Sequence, residues 1–466
     1  MTSEKKINSF RTEKDSIGKI QVPKNKYWGA QTQRSLENFR IGSDRMPKEL
    51  IQAFAIQKKA AAISNIALNK LDSKLGNKII QVCDEIIKGK LLDHFPLSVW
   101  QTGSGTQTNM NLNEVIANRA NESLGKNLGE YDPIHPNDHC NLGQSSNDSF
   151  PTAMHISIVL EAKEKLFPSI DIISNTLKKK INHFEKIIKV GRTHLQDATP
   201  LTLGQEFHGY VGQIESARKR ISESLNSLLY LAQGGTAVGT GLNSSNKFIA
   251  GFIKATQMIT GMPFKESKNK FELLSSHESI IHFSNSMNTL IIACYKIAND
   301  IRLMASGPRC GIGEITLPAN EPGSSIMPGK INPTQCEAIT QVCLHLMGLN
   351  YSTSIAGTQG HFQLNAYKTL IIFNTLRSMR LISDAIESFS KKCLDGIVAN
   401  KIVIEKNLNN SLMLVTALNP KIGYSKASEV AKKAFEENIT LKEAVVKLGY
   451  LSEKEFDLIV DIKKMI

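Results

Sequence analysis

The sequence predicts a mainly α-helical protein whose central helices are longer than a single domain is wide. Three observations carry this. From Phe264 to Ser306 there is neither Gly nor Pro, and Ile280, Phe283, Met287, Leu290, Ile291, Cys294, Ile297, Ile301 and Met304 recur at the three-and-four spacing of one helix face. A second face follows Pro200, with Leu203, Phe207, Val211, Ile214, Ala217, Ile221, Leu225 and Leu228 in register. A third run extends from His361 to Asp395 without a breaker. At ~1.5 Å per residue the first run alone would reach roughly 60 Å. Apolar stripes of that length are seldom buried inside one subunit, so the pattern predicts a bundle shared between protomers.

The elements divide the chain into three parts. Residues 1–143 read as an N-terminal mixed domain, with strand-like fragments at Ile20–Val22 and Leu97–Trp100 among helical stretches and polar turns. Residues 144–400 read as the long-helix bundle. Residues 401–466 change to shorter helical pieces, Leu408–Leu418, Lys426–Glu436, Thr440–Leu448 and Ser452–Asp461. Two of these open on capping boxes, Thr440 with Glu443 and Ser452 with Glu455, in which each side chain satisfies the other's free backbone N–H.

Composition narrows the class. At 466 residues, 41 % apolar and 21 % charged, the chain can bury a large core and is neither collagen-like nor disordered. Its longest near-apolar stretch, Leu290–Ala298, is broken by Lys296 and falls short of the ~18 residues that a membrane span needs. The net charge of +13 invites a nucleic-acid reading, but the basic runs Lys178–Lys180, Arg218–Arg220 and Lys391–Lys392 lack interleaved aromatics, and a solvated surface is favoured. Seven cysteines, an odd number with no Cys-x-x-Cys, predict reduced thiols and a cytoplasmic protein. The opening MTSEKKINSFRTEKDS has no apolar signal core, and Glu4, Glu13 and Asp15 do not suit a transit peptide.

Four segments are rich in Gly and small polar residues yet flanked by helix-forming sequence: Gln101–Glu114, His135–Ser149, Gly191–Pro200 and Gly323–Pro333. Each alone reads as a surface turn. Four together, offering hydroxyls, amides and backbone N–H groups, point to a pocket for an oxyanion. The familiar motifs fail. Gly323–Lys330 has five residues between its glycines and Ile331 where a phosphate loop needs Ser or Thr. Gly103-Ser104-Gly105 lacks the third glycine of a dinucleotide fingerprint. His277 and His282 are one residue too far apart for a zinc helix, and His135 and His139 flank a loop broken by Pro136. No metal or cofactor is expected.

What remains is an acid–base kit. His194, among polar neighbours and near Asp197, is the histidine best placed to titrate, against the plainer role of a structural hydrogen bonder. Lys330 and Asn332, in a loop stiffened by Pro328 and Pro333, suit a carboxylate, or for Lys330 simple exposure. Ser324 and Ser325 read either as turn hydroxyls or as a hydroxyl with a lowered pKa.

GSSIMPGKINP at 323–333 resembles the signature loop of the fumarase/aspartase superfamily, and the other three segments are similar to its remaining active-site stretches in the same order. His194 in GRTHLQDATP, where aspartate ammonia-lyases usually carry Gln, and the SSND form at 145–148 resemble the class II fumarate hydratase branch. The resemblance implies a three-domain fold whose central bundles join into a twenty-helix homotetramer core, with active sites shared between three subunits. It implies reversible anti hydration of fumarate to (S)-malate through an aci-carboxylate carbanion, in the tricarboxylic acid cycle, with a small dicarboxylate as the only partner besides the chain's own copies: no nucleic acid, no membrane.

By the same resemblance Ser324 is the base and His194 the acid oriented by Glu337, while Lys330 and Asn332 stabilise the carbanion. Ser104, Gly105, Thr106, Ser145, Ser146, Asn147, Thr193 and Ser325, with Lys330 and Asn332, hold the substrate. His135, Pro136, Asn137 and Asp138 form a second anion site, with Asp132 upstream where relatives often have basic residues. His361 and Gln363 also depart from the common Asn and Glu. The competing readings are an aspartate ammonia-lyase, a non-enzymatic scaffold and a basic binding protein.

Overall fold

The structure is a computed structural model and describes residues 9–466, so the expectations placed on residues 1–8 lie outside the described residues. It is mostly helical, as expected. An antiparallel hairpin of β1 (Phe10–Lys14) and β2 (Lys19–Pro23) opens the chain and contains the predicted strand at Ile20–Val22. Helices α1 (Ala30–Asn38), α2 (Lys48–Ala67), α3 (Ser73–Ile87), α4 (Thr106–Glu122), α5 (Ser146–Glu161) and α6 (Phe167–Phe184) follow. A second hairpin, β3 (Ile188–Thr193) with β4 (Gln196–Thr202), precedes α7 (Leu203–Leu228), α8 (Asn246–Thr260), α9 (Lys270–Ser275), α10 (Glu278–Met304), α11 (Thr334–Gly357) and α12 (Lys368–Lys392). The last part holds α13 (Lys401–Asn410), α14 (Asn419–Ile422), α15 (Tyr424–Glu436), α16 (Leu441–Lys447) and α17 (Glu453–Ile459).

Three expectations are corrected. Leu97–Trp100 forms no strand: Ser98 makes an isolated bridge with Arg45, and its Oγ accepts from the Trp100 N–H at 3.1 Å, a local turn that competes with extended pairing. The breaker-free run from Phe264 is two helices, because Asn269 caps α9 by accepting from the Glu272 N–H and Ser276 ends it in an extended conformation. The run from His361 becomes helical only at Lys368. His361 pairs in a short hairpin, Gly360–His361 with Leu364–Asn365, and Asn365 Oδ1 accepts from the Tyr367 N–H at 2.7 Å, setting the turn from which α12 starts.

The chain divides into two compact units: one comprises residues up to Pro168, Lys219–Thr289 and Leu344–Ser383, and the other Ser169–Arg218, Leu290–Cys343 and Asp384–Ile466. In the first, α2 packs against α3, α5 and α8. Its alanine run Ala60–Ala62 and Ser64 permit close approach; Ser64 Oγ donates to the Phe248 carbonyl at 2.8 Å. Phe54 of α2 meets Phe150 of α5 edge to face, centroids 5.9 Å apart, and both are fully buried; truncating either to Ala would cost about 3–5 kcal/mol.

In the second unit Phe184, Phe207 and Tyr210 stack in sequence, and the Tyr210 hydroxyl reaches Asp300 at 3.1 Å. The C-terminal helices enclose Leu414, Leu418, Val430, Ala444 and Val445. Both predicted capping boxes are present, Thr440 with Glu443 and Ser452 with Glu455.

Candidate active site

In the first unit, two helix starts carry the predicted hydroxyls. Thr106 begins α4 behind Gly105, whose φ of +81° suits glycine and whose position leaves no room for a Cβ against the Phe150 ring. The loop before it is held by Gln101 Oε1, which accepts from the Thr108 N–H at 3.1 Å and hydroxyl at 2.9 Å, and by the Lys368 N–H, which donates to the Gly103 carbonyl at 3.0 Å. A hydroxyl chain runs along this surface: Thr102 to Ser104 at 3.3 Å, Ser104 to Thr106 at 3.0 Å, Thr106 to Ser146 at 2.9 Å.

Ser146 begins α5, capped by Ser145 in a box whose return partner is Asp148. Asp148 is fully buried and accepts from the Gly234 and Thr236 N–H groups, both at 2.9 Å, as well as from the Ser145 N–H at 3.0 Å. Burial pushes its pKa up, and these donors pull against that. Asn147 Nδ2 donates to the Ala237 carbonyl at 2.8 Å, so the 145–148 segment is fixed to the 234–237 turn at three points.

His135 caps the turn Pro136–Cys140, its Nδ1 accepting from the Asn137 and Asp138 N–H groups, each at 3.3 Å. Asp138 Oδ2 also lies 3.2 Å from the same ring nitrogen. Asn137 and Asp138, with Asn141, Gln144, Ser145 and Thr236, line a cavity of about 540 Å³. Upstream, Lys126 lies 3.7 Å from Asp132 and offsets part of its charge.

In the second unit, His194 and Leu195 are the two tip residues of the β3–β4 hairpin, with φ of +57° and +62°. Two successive left-handed residues are the backbone a two-residue hairpin turn requires, and it presents His194 to solvent. Thr193 pairs with Gln196 at its base. The strand is anchored by Glu314, fully buried: Arg192 grips it with two hydrogen bonds at 2.9 and 2.7 Å, and Lys189 Nζ lies at 3.2 Å. The register shifts between Val190 and Arg192, at Gly191.

The Gly323–Pro333 loop folds on itself. Asn332 Nδ2 donates to the Gly323 carbonyl at 2.5 Å, and a Cβ at Gly323 would strike the Lys330 carbonyl. Within the loop, Ser324 Oγ accepts from the backbone N–H of Met327 at 3.0 Å and of Ile326 at 3.3 Å. Ser324 is half-buried, while Ser325 and Lys330 are exposed. Glu337 lies exposed in the first turn of α11.

The structure thus brings Ser104, Thr106, Ser145 and Ser146 to adjoining helix starts, and Gly323, Ser324 and Asn332 to one loop. Among the described residues no hydrogen bond joins His194 to Ser324, Lys330, Asn332 or Glu337, and no three of His, Cys, Asp and Glu group as metal ligands. Asp148 and Glu314 were not singled out from the sequence. For Asp148 a signal existed, the Ser145-x-x-Asp148 spacing of a capping box. Glu314 sits far in sequence from the strand it anchors and left no local sign.

A hydroxyl-lined helix-start surface and a serine cradled by backbone N–H groups, on a long-helix scaffold, suit a lyase, and the chain matches the family described as Lyase over residues 18–348. The description Fumarase C C-terminus matches residues 414–466. Fumarate hydratase, mitochondrial, of Rhizopus oryzae is 56 % identical over 99 % of this chain and 93 % of its own length. Fumarate hydratase class II of Rickettsia felis is 55 % identical, covering 99 % of this chain and all of its own length. The crystal structure of recombinant class II fumarase from Schistosoma mansoni superposes with a TM-score of 0.96 at 43 % identity, over 98 % of this chain and 99 % of that one. The chain belongs to the class II fumarate hydratase family.

Proposed function

We propose that this protein interconverts fumarate and (S)-malate by reversible anti addition of water, within the tricarboxylic acid cycle. The observation that carries the mechanism is the pair of backbone N–H groups donating to Ser324 Oγ. Hydrogen bonds to the charged form lower a pKa, so these donors favour the alkoxide that a serine base requires. In the dehydration direction Ser324 takes the C3 proton of malate, leaving a carbanion delocalised into the adjacent carboxylate. Lys330 and Asn332 stabilise that charge where it builds. His194, oriented by Glu337, protonates the departing hydroxyl, and fumarate and water leave. The hydroxyls of Ser104, Thr106, Ser145 and Ser146, with Gly105, Asn147, Thr193 and Ser325, hold the carboxylates and the hydroxyl. His135, Pro136, Asn137 and Asp138 serve as a second, weaker anion site.

The same reading makes the protein a homotetramer with active sites built from three subunits. It is supported by apolar side chains left exposed along the long helices: Ile292 and Leu303 on α10, Leu344, Tyr351 and Ile355 on α11. Along the sequence we retain divisions near residues 143 and 400; the apolar cluster of the last part also takes in Val190 and Ile188 of β3. Among the described residues no helix is long and apolar enough to cross a membrane, and we place the protein in the cytoplasm.

The deciding experiment follows fumarate by its ultraviolet absorbance with malate or aspartate as sole substrate. Fumarate is expected from malate; its appearance only from aspartate would replace a hydratase by an ammonia-lyase.

A further inference from the structure

Lysine 58 stands in the middle of α2, in the Ala-rich stretch that packs the first unit. Its side chain is 1 % exposed, and its ammonium lies 5.5 Å from the Phe54 ring. Two uncharged oxygens receive it: Asn141 Oδ1 and Gln144 Oε1, each at 3.0 Å. Burying an ammonium against amides is costly, and a methionine of similar length would fill the same space without that cost. The packing of α2 therefore does not account for a lysine; what it holds does.

Asn141 and Gln144 bound the turn that leads into Ser145. Asn141 Nδ2 donates to the Gln144 carbonyl at 3.1 Å, closing the turn. Asn141 Oδ1 also accepts from Asn109 at 3.1 Å and Asn113 at 3.4 Å, both on α4, the helix that begins at Thr106. Gln144 Oε1 accepts a further bond from Gln57 at 2.9 Å. Lys58 thus joins, from beneath, the two helix starts whose hydroxyls meet at the surface. Asn141, Gln144 and Ser145 also line the 540 Å³ cavity.

We infer that Lys58 is a positioning residue: its ammonium locks the 141–144 turn and, through it, holds Ser145, Ser146 and Asn147 where a substrate carboxylate binds. The inference rests on the hydration reading above. Burial lowers the Lys58 pKa to about 7 against the pull of Cys140, Asp148 and Cys83. A neutral amine still offers two N–H donors to its two acceptors, so the lock does not depend on the charge.

The test uses the full-length protein with Lys58→Met, which keeps the apolar stem and removes the donors. The KM for malate is expected to rise at least tenfold with kcat changed less than threefold. Backbone amides of residues 141–147 are expected to exchange with deuterium at least tenfold faster, those of α10 being unaffected. Lys58→Gln keeps an N–H donor group on a shorter stem and is expected to recover part of both effects; it also carries the test should the Met variant fail to fold. A KM within twofold of the parent, or unchanged exchange at 141–147, overturns the inference. If the parent protein does not interconvert malate and fumarate, the hydration reading falls separately, and the exchange data alone decide whether Lys58 holds the turn.

Discussion

The hydroxyls of Thr106 and Ser146 lie 2.9 Å apart although each residue opens a different helix, forty positions from the other. Neither loop can therefore shift alone without breaking the hydroxyl chain that runs back to Thr102. Replacing Thr106 by Val or Ser146 by Ala is expected to raise the KM for malate about five- to twentyfold. The double variant should be little worse than either single one, since both remove the same contact. Steady-state kinetics on the three variants checks this; fully additive losses would mean that the two hydroxyls act independently.

Ser324→Ala should lower kcat by at least about a thousandfold while leaving the circular dichroism spectrum and the oligomer size unchanged. The loop keeps its fold in this variant because Asn332 still bonds the Gly323 carbonyl. Turnover near the parent level would mean that another group takes the C3 proton.

The two exposed histidine segments should behave differently. His194→Asn is expected to lower kcat by a factor comparable to Ser324→Ala, because the hairpin presents that ring at its tip. His135→Asn should change kcat less than about threefold, since an Asn at the same position also caps a helical turn. Equal losses at both would reverse their assigned ranks.

Glu314→Gln should destabilise the protein by about 3 kcal/mol, the range for removing one partner of a buried ionic cluster. Burial pushes the Glu314 carboxyl up, but the Arg192 hydrogen bonds and the charges of Lys189 and Arg192 outweigh it, and its pKa lies below the ordinary value. The sign follows: the stabilisation is complete above the unfolded-state value of ~4.3 and is lost as pH falls through the lower folded value. Urea midpoints measured from pH 7 to pH 3 should fall in the parent and fall less steeply in Glu314→Gln.

Much of this was legible in the residues. The long helical faces after Pro200 and around Leu290 are period-3.6 patterns, which burial enforces directly, and α7 and α10 follow them. The capping boxes at Thr440 and Ser452 are local chemistry, fixed within four residues. What was not legible depends on contacts distant in sequence. Nothing near Phe264 announces that Asn269 and Ser276 divide the run, because both residues are tolerated inside helices and act as caps only when neighbouring structure lets the backbone leave the helix. Lys58 reads as one more lysine in a basic chain; its meaning lies in Asn141 and Gln144, more than eighty residues away. The polar segments stand out because four of them coincide, whereas the residues beneath them carry no such redundancy.

The small irregularity in the second hairpin, where Ala198 and Thr199 of β4 stand opposite Gly191 alone, has a wider reach than its size. In a regular strand, side chains alternate, and positions three apart such as 189 and 192 face away from each other. Here the unmatched residue on β4 bends and twists the pair locally, and both cations reach Glu314, Lys189 also pairing with Glu206 at 3.0 Å. It thereby works as a phase adjuster: with two cations of β3 fastened to Glu314, the hairpin that ends at His194 is held against turning about its own axis. Removing the unmatched residue on β4 would disturb that hold with His194 still present, which separates having the right residues from having them aimed.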